Sequence, residues 1–148
     1  MRRRPPTQVE IVDGLIRIER VRAWANATAV AGGRLGGEAQ VLAAGFAEHS
    51  RTRAGALRTG LEALGSGLDG PAPLVLAGEP LAADLAGARD EAALLRVLAR
   101  LERVAIDTYA RSLARLEVPE LISTAASAMG GHAQQLAALR LALGDEVV

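Results

Sequence analysis

The spacing of apolar residues is the feature that most constrains this chain. Apolar side chains recur at intervals of three and four residues, which places them on one face of an α-helix, whereas a strand would alternate with period two. Ala and Leu fill most of these positions, and both favour helix over strand. The pattern therefore predicts an all-α protein.

Prolines, glycines and capping residues divide the pattern into long helices. Thr7 and Glu10 form a capping-box pair at the first helix start, Asp90 is a suitable N-cap, and Pro119 suits the first turn of a helix. The four predicted helices span about residues 7–31, 37–65, 90–117 and 119–143. Short connections make the first two helices, and likewise the last two, antiparallel neighbours.

A long connection rich in Pro and Gly, residues 66–89, separates the two helix pairs, with a short extra helix predicted over 81–88. We therefore predict one domain over residues 1–148, with residues 1–6 as a flexible N-terminus. Its expected architecture is an antiparallel four-helix bundle with a long connection between helices 2 and 3.

Composition excludes several classes of function. The 17 basic residues are balanced by 17 acidic ones, which leaves no excess positive charge for nucleic acid. The chain has no Cys for disulfides or thiolate sites, and no apolar run long enough to predict a membrane span. Without a recognisable export signal or nucleophile motif, we expect a cytoplasmic protein with no catalytic residues, and the Arg-rich, Lys-free composition is typical of a high-GC bacterial gene.

The two halves of the chain form a weak repeat. Residues 15–21 (LIRIERV) match residues 98–104 (LARLERV), and Ala-Leu-Arg recurs at residues 56–58 and 138–140. Such a repeat predicts a bundle with approximate two-fold symmetry, in which Glu19 and Glu102 face each other across the core.

Polar residues interrupt the apolar faces of all four helices. Glu102 shares its face with Leu98 one turn earlier, which predicts a buried carboxylate, and the alternative is a helix-edge glutamate that reaches solvent. The face of Glu19 also carries Arg22 and Asn26, so its own pattern is ambiguous and the repeat favours its place in the core. The remaining candidates are Ser50 and Arg53 on the second helix and His132 and Gln135 on the fourth. For His132 the alternative is a hydrogen-bonded core histidine. For Arg53 the alternative is a surface residue whose aliphatic stem covers apolar area.

The chain resembles the ferritin-like superfamily, specifically the compact bacterial ferritin-like domain proteins, over about residues 9–144. The resemblance implies a di-iron site with a single Glu on each of two helices and a Glu-x-x-His pair on each of the others. The single acids match Glu19 (Arg-Ile-Glu-Arg) and Glu102 (Arg-Leu-Glu-Arg), and the paired motifs fall on residues 50–53 and 132–135.

Both paired motifs depart from the family pattern. Ser50 and His132 stand at the acid positions, and Arg53 and Gln135 stand at the His positions, so two of the six implied ligands remain. A shifted alignment that uses His132 as the motif His puts Met129 at the acid position and restores no pair. We therefore predict no metal and no cofactor.

These residues predict a metal-free core polar cluster. Its expected members are Glu19, Ser50, Arg53, Glu102, His132 and Gln135. The fixed charge of Arg53 would balance the acids and bind a carboxylate through two parallel hydrogen bonds. We also expect the two acids to raise the pKa of His132.

The function that follows is a non-catalytic binding or structural module with an unknown partner. The alternative is a metal-binding protein or oxidoreductase that holds one divalent metal ion on Glu19, Glu102 and His132, which requires Arg53 to point outward. A homodimer through an exposed stripe around Trp24 is a further interpretation, with core packing of that stripe as its alternative.

Overall fold

The structure is a computed structural model that describes residues 4–65 and 80–145. Within these ranges the chain is helical and contains no strand, which confirms the all-α prediction. The helices are α1 (Gln8–Ala31), α2 (Gly37–Ala63), α3 (Pro80–Gly87), α4 (Glu91–Leu113) and α5 (Pro119–Ala142). None of these helices combines the length and apolar character needed to cross a bilayer.

Helix boundaries follow local signals in the sequence. Thr7 and Glu10 form the predicted capping box, and the Asp90 side chain accepts a hydrogen bond from the backbone N–H of Ala93 at 2.8 Å. Gly65 and Gly144 adopt positive φ angles of 74° and 77° just beyond α2 and α5. Since a side chain disfavours that conformation, glycine suits both helix ends.

The connection between the helix pairs is described only in part. Residues 80–87 form α3, close to the short helix predicted over residues 81–88. Of the predicted crossover over residues 66–89, residues 66–79 lie outside the described residues, as do residues 1–3 of the predicted flexible N-terminus. Within the described N-terminus, the Arg4 guanidinium pairs with the Glu10 carboxylate at 2.9 Å.

Helix α4 ends at Leu113, four residues before the predicted end near residue 117. A side chain from the distant helix α1 explains the difference. The amide of Gln8 donates to the carbonyl oxygen of Arg115 at 3.0 Å, and its oxygen accepts the backbone N–H of Glu117 at 2.8 Å. Because Gln8 pairs these backbone groups, the chain can leave the helix early and turn into α5.

Each of the four long helices packs chiefly against two others. Helix α1 packs mainly on α2 and also on α4, while α5 packs mainly on α4 and also on α2. Helix α3 contacts α1 and α4. Trp24 on α1 is partly buried against the apolar core, which agrees with core packing of that stripe.

Two apolar clusters lie at opposite ends of the long helices. One contains Ala29, Phe46, Leu94 and Leu139, and the other contains Leu15, Leu57, Tyr109 and Leu121. On every long helix, the predicted polar residues fall between the segments that supply the two clusters. The apolar core is therefore divided at mid-length by polar side chains.

Replacing Gln8 with Ala tests the turn after α4. We expect Gln8→Ala to lower the free energy of unfolding by about 1–2 kcal/mol, because two backbone hydrogen bonds are lost. Urea unfolding followed by circular dichroism measures the change. Gln40→Ala, at an exposed position of α2, is the matched control and should stay within about 0.5 kcal/mol of the parent chain. Equal effects of the two substitutions would contradict the bridging role of Gln8.

Candidate functional site

The polar residues at mid-length form one buried layer to which all four long helices contribute. We call it the polar layer. Among the described residues, its buried members are Glu19, Arg22, Asn26, Ser50, Glu102, His132 and Gln135, each at most 4% exposed. The structure thus brings together five of the six residues predicted from the sequence and adds Arg22 and Asn26.

The imidazole of His132 lies between the two acids. Its Nε2 atom is 2.6 Å from Oε1 of Glu19, and its Nδ1 atom is 3.0 Å from Oε2 of Glu102. Because α1 and α4 supply the acids and α5 supplies the ring, these contacts join three helices. The two glutamates, which the repeat predicts to face each other across the core, are linked through the ring of His132.

The guanidinium of Arg22 is the buried cation of the polar layer. It pairs with the Glu102 carboxylate and lies 3.6 Å from Oε2 of Glu19. It also donates to the Ser50 hydroxyl at 2.5 Å and to Oε1 of Gln135 at 2.9 Å. One side chain therefore joins all four long helices.

This position of Arg22 corrects the prediction for Arg53. The sequence predicts Arg53 as the core cation, but Arg53 is only partly buried and reaches the layer through a 3.4 Å contact with Oε1 of Gln135. The repeat offers a physical reason, because the position equivalent to Arg22 in the second half is Ala105. Ala105 is fully buried, and its small side chain occupies little of the space at the layer.

Tyr109 completes the environment of Glu19. Its hydroxyl donates to Oε1 of Glu19 at 2.7 Å, and its ring lies 5.2 Å from the His132 ring, measured between centroids. Tyr109 is not among the cluster members predicted from the sequence. A signal was present, since Tyr109 and the buried Asn26 occupy equivalent positions of the repeat.

Burial and charge set the protonation of the layer. Burial alone would raise the pKa of Glu19, but hydrogen bonds and charge from His132, Tyr109 and Arg22 hold that pKa below its usual value. Burial lowers the pKa of Arg22 to about 10, so the guanidinium stays charged at neutral pH. Burial and the charge of Glu19 raise the pKa of Tyr109, which keeps its hydroxyl a donor.

The expectation that the acids raise the pKa of His132 is wrong. Burial lowers this pKa, and the positive charges of Arg22 and Arg53 add to the effect. Together they outweigh the hydrogen bond and charge of Glu19, which act in the opposite direction. At neutral pH the guanidinium of Arg22 is therefore the charged group that pairs with the two carboxylates inside the layer.

The alternative metal set, Glu19, Glu102 and His132, has a specific geometry. The two ring nitrogens of His132 face different carboxylates, so the ring separates the acids. Across residues 4–65 and 80–145, no group of three or more His, Cys, Asp or Glu side chains is arranged to hold a metal ion. As arranged, each of the two carboxylates contacts a different nitrogen of the His132 ring.

Comparisons with protein-family models, curated proteins and solved structures found no match to this chain.

Replacing Arg22 tests its role as the core cation. We expect Arg22→Ala to lower the free energy of unfolding by about 3–5 kcal/mol, because it leaves buried carboxylates without their cation. Chemical denaturation measures this value. Arg103→Ala, at an exposed position of α4 next to Glu102, is the control and should change the free energy of unfolding by less than about 0.5 kcal/mol. Similar losses for Arg53→Ala and Arg22→Ala would restore Arg53 as the core cation.

Acidification should destabilise the fold. Unfolding returns His132 to its ordinary pKa of 6.5, so between that pH and the lower folded pKa the unfolded chain binds more protons. The contribution of the neutral His132 ring to stability is then fully present above pH 6.5 and is lost as the pH falls through that window. Glu19 adds a second loss below its ordinary pKa of 4.5, in the same direction.

The two histidines of the chain allow a direct measurement. In an NMR titration, the His132 ring should titrate below pH 6.5, and His49→Gln assigns the signal by removing the other resonance. The free energy of unfolding of the His49→Gln variant should be lower at pH 5.5 than at pH 7.5. A His132 midpoint above 6.5, or stability that rises on acidification, would contradict this account.

Proposed function

We propose that this chain is a ferritin-like four-helix module whose centre is closed by side chains, and that it acts as a non-catalytic binding or structural protein. The repeat between the two helix pairs supports this architecture, as do the contacts of α1 with α2 and α4 and of α5 with the same two helices. The acid pair at the centre of the resemblance lies inside the polar layer, from one helix of each pair.

One observation carries the proposal. The His132 ring and the Arg22 guanidinium occupy the space around Glu19 and Glu102, where the resemblance implies metal ions. Each acid already has hydrogen-bonding or ion-pair partners from this chain. A metal ion would have to displace these partners before it could reach the carboxylates.

Charge favours the same conclusion. Two unit charges about 4 Å apart interact by roughly 4 kcal/mol at an effective dielectric constant of 20, and a divalent ion meets about twice that repulsion. Arg22 keeps its charge at neutral pH, because its lowered pKa of about 10 still lies well above physiological pH. The layer therefore penalises a divalent cation while it neutralises its own carboxylates.

The second candidate function is the remodelled single-metal site. It is favoured by one observation, namely that two carboxylates and an imidazole from three helices meet within hydrogen-bonding distance. It requires Arg22 to leave the layer, in place of the outward Arg53 considered from the sequence alone.

Metal analysis distinguishes the two functions. The purified chain is incubated with Fe²⁺, Mn²⁺ or Zn²⁺, passed through a desalting column and assayed by mass spectrometry for bound ions. We expect far less than one ion per chain, with no change in thermal stability. Near-stoichiometric binding that is lost in Glu102→Gln and kept in Glu48→Gln, an exposed glutamate of α2, would establish the single-metal site and overturn the proposal.

A further inference from the structure

A surface cavity of about 370 Å³ lies between α2 and α5, beside the polar layer. Its lining comes from one face of each helix. The lining residues are Phe46, His49, Thr52 and Arg53 from α2, and Gly131, Gln134 and Gln135 from α5. The volume of this cavity suits a small molecule, and the proposed function does not assign a role to it.

The polar groups of this cavity are mainly hydrogen-bond donors. Arg53 supplies the only fixed charge among the described residues that line it, and none of those residues is acidic. No carboxylate in residues 4–65 or 80–145 forms an ion pair with Arg53. Its guanidinium has five donors in a planar fork, and its one hydrogen bond to a described residue goes to Gln135 at 3.4 Å.

Gln135 connects the cavity wall to the buried layer. Its Oε1 atom accepts from Arg22 at 2.9 Å and from Arg53 at 3.4 Å, so two positive groups converge on one oxygen. Its Nε2 atom lies 3.1 Å from Nδ1 of His49. When this amide donates to Nδ1, the proton of the neutral His49 ring is on Nε2, which adds another donor at the cavity.

We propose that this cavity binds a small organic carboxylate, with the carboxylate on Arg53 and the apolar part of the ligand against Phe46. A planar carboxylate matches the guanidinium fork through two parallel hydrogen bonds. An anion at this place would also offset the repulsion between Arg53 and Arg22. The inference rests on the proposed function as a binding module and names the ligand class that the module takes.

The glycine pair in the middle of α5 provides a test of this arrangement. A Cβ atom at Gly131 would clash with Nη2 of Arg53, so a side chain there displaces the guanidinium. A Cβ atom at Gly130 would meet nothing within 4 Å. Gly131→Ala and Gly130→Ala change helix propensity equally, but only the first moves Arg53.

The experiment is an amide NMR titration at pH 7.5 and low salt with benzoate as the probe. Benzamide, which has a similar shape and no charge, and inorganic phosphate, which is an anion without an apolar part, are titrated in parallel. We expect benzoate to shift the amide signals of residues 49–53 and 131–135 in a saturable way. Benzamide and phosphate should each bind about tenfold more weakly, since each lacks one of the two interactions.

Variants then assign the binding to Arg53. Arg53→Gln and Gly131→Ala should weaken benzoate about tenfold, whereas Arg51→Gln, an exposed neighbour on α2, and Gly130→Ala should stay within about twofold of the parent chain. Circular dichroism melts of all four variants verify folding, and Gly131→Ala supplies the answer if Arg53→Gln unfolds.

Equal binding of benzoate and benzamide, tighter binding of phosphate, or no saturable shift with benzoate would each overturn the inference. So would benzoate binding that survives both Arg53→Gln and Gly131→Ala. The metal analysis is independent of these outcomes, because it reports on Glu19 and Glu102 rather than on the cavity. A metal-free chain without benzoate binding therefore refutes only the inference, and a metal-loaded chain refutes the proposed function.

Discussion

Two carboxylates buried at the middle of an all-helical core are the constraint on which the rest of this structure depends. Glu19 and Glu102 are at most 1% exposed, and an isolated buried carboxylate is costly unless it is paired and hydrogen-bonded. The chain meets this cost with one guanidinium, one imidazole and one phenol, all directed at the same two acids. Because these partners come from different helices, the polar layer also fixes how the helices are placed relative to one another.

The repeat explains how the layer fits into a symmetrical frame. The two acids of the polar layer occupy equivalent positions of the repeat, but their partners do not. At the position equivalent to a large polar side chain in one half, the other half has a small side chain. Arg22 is equivalent to Ala105, and His132 is equivalent to Ser50. All four are buried, so each large group extends across the layer at a level where the other half contributes little volume.

The helices could be predicted from the sequence because their signals are local. Thr7, Glu10, Asp90 and the glycines after α2 and α5 act within one turn of the helix ends they define. The end of α4 could not be predicted, because it depends on Gln8, which is more than one hundred residues away in sequence. Where a boundary is set by tertiary contact, neither periodicity nor capping residues reveal it.

The same distinction applies to the candidate site. Position in the repeat identified Glu19, Glu102 and His132, since equivalent positions on paired helices are brought to the same level. It misassigned the cation, because a helical face shows that Arg22 is near Glu19 but does not show that the facing helix leaves room for it. Counting the acids around His132 also predicted the wrong pKa direction, since the count omitted the loss of solvent and the guanidinium groups that face the ring. Residue spacing thus predicts which polar groups meet, whereas the pKa of each group depends on its burial and on the charges that other helices bring to it.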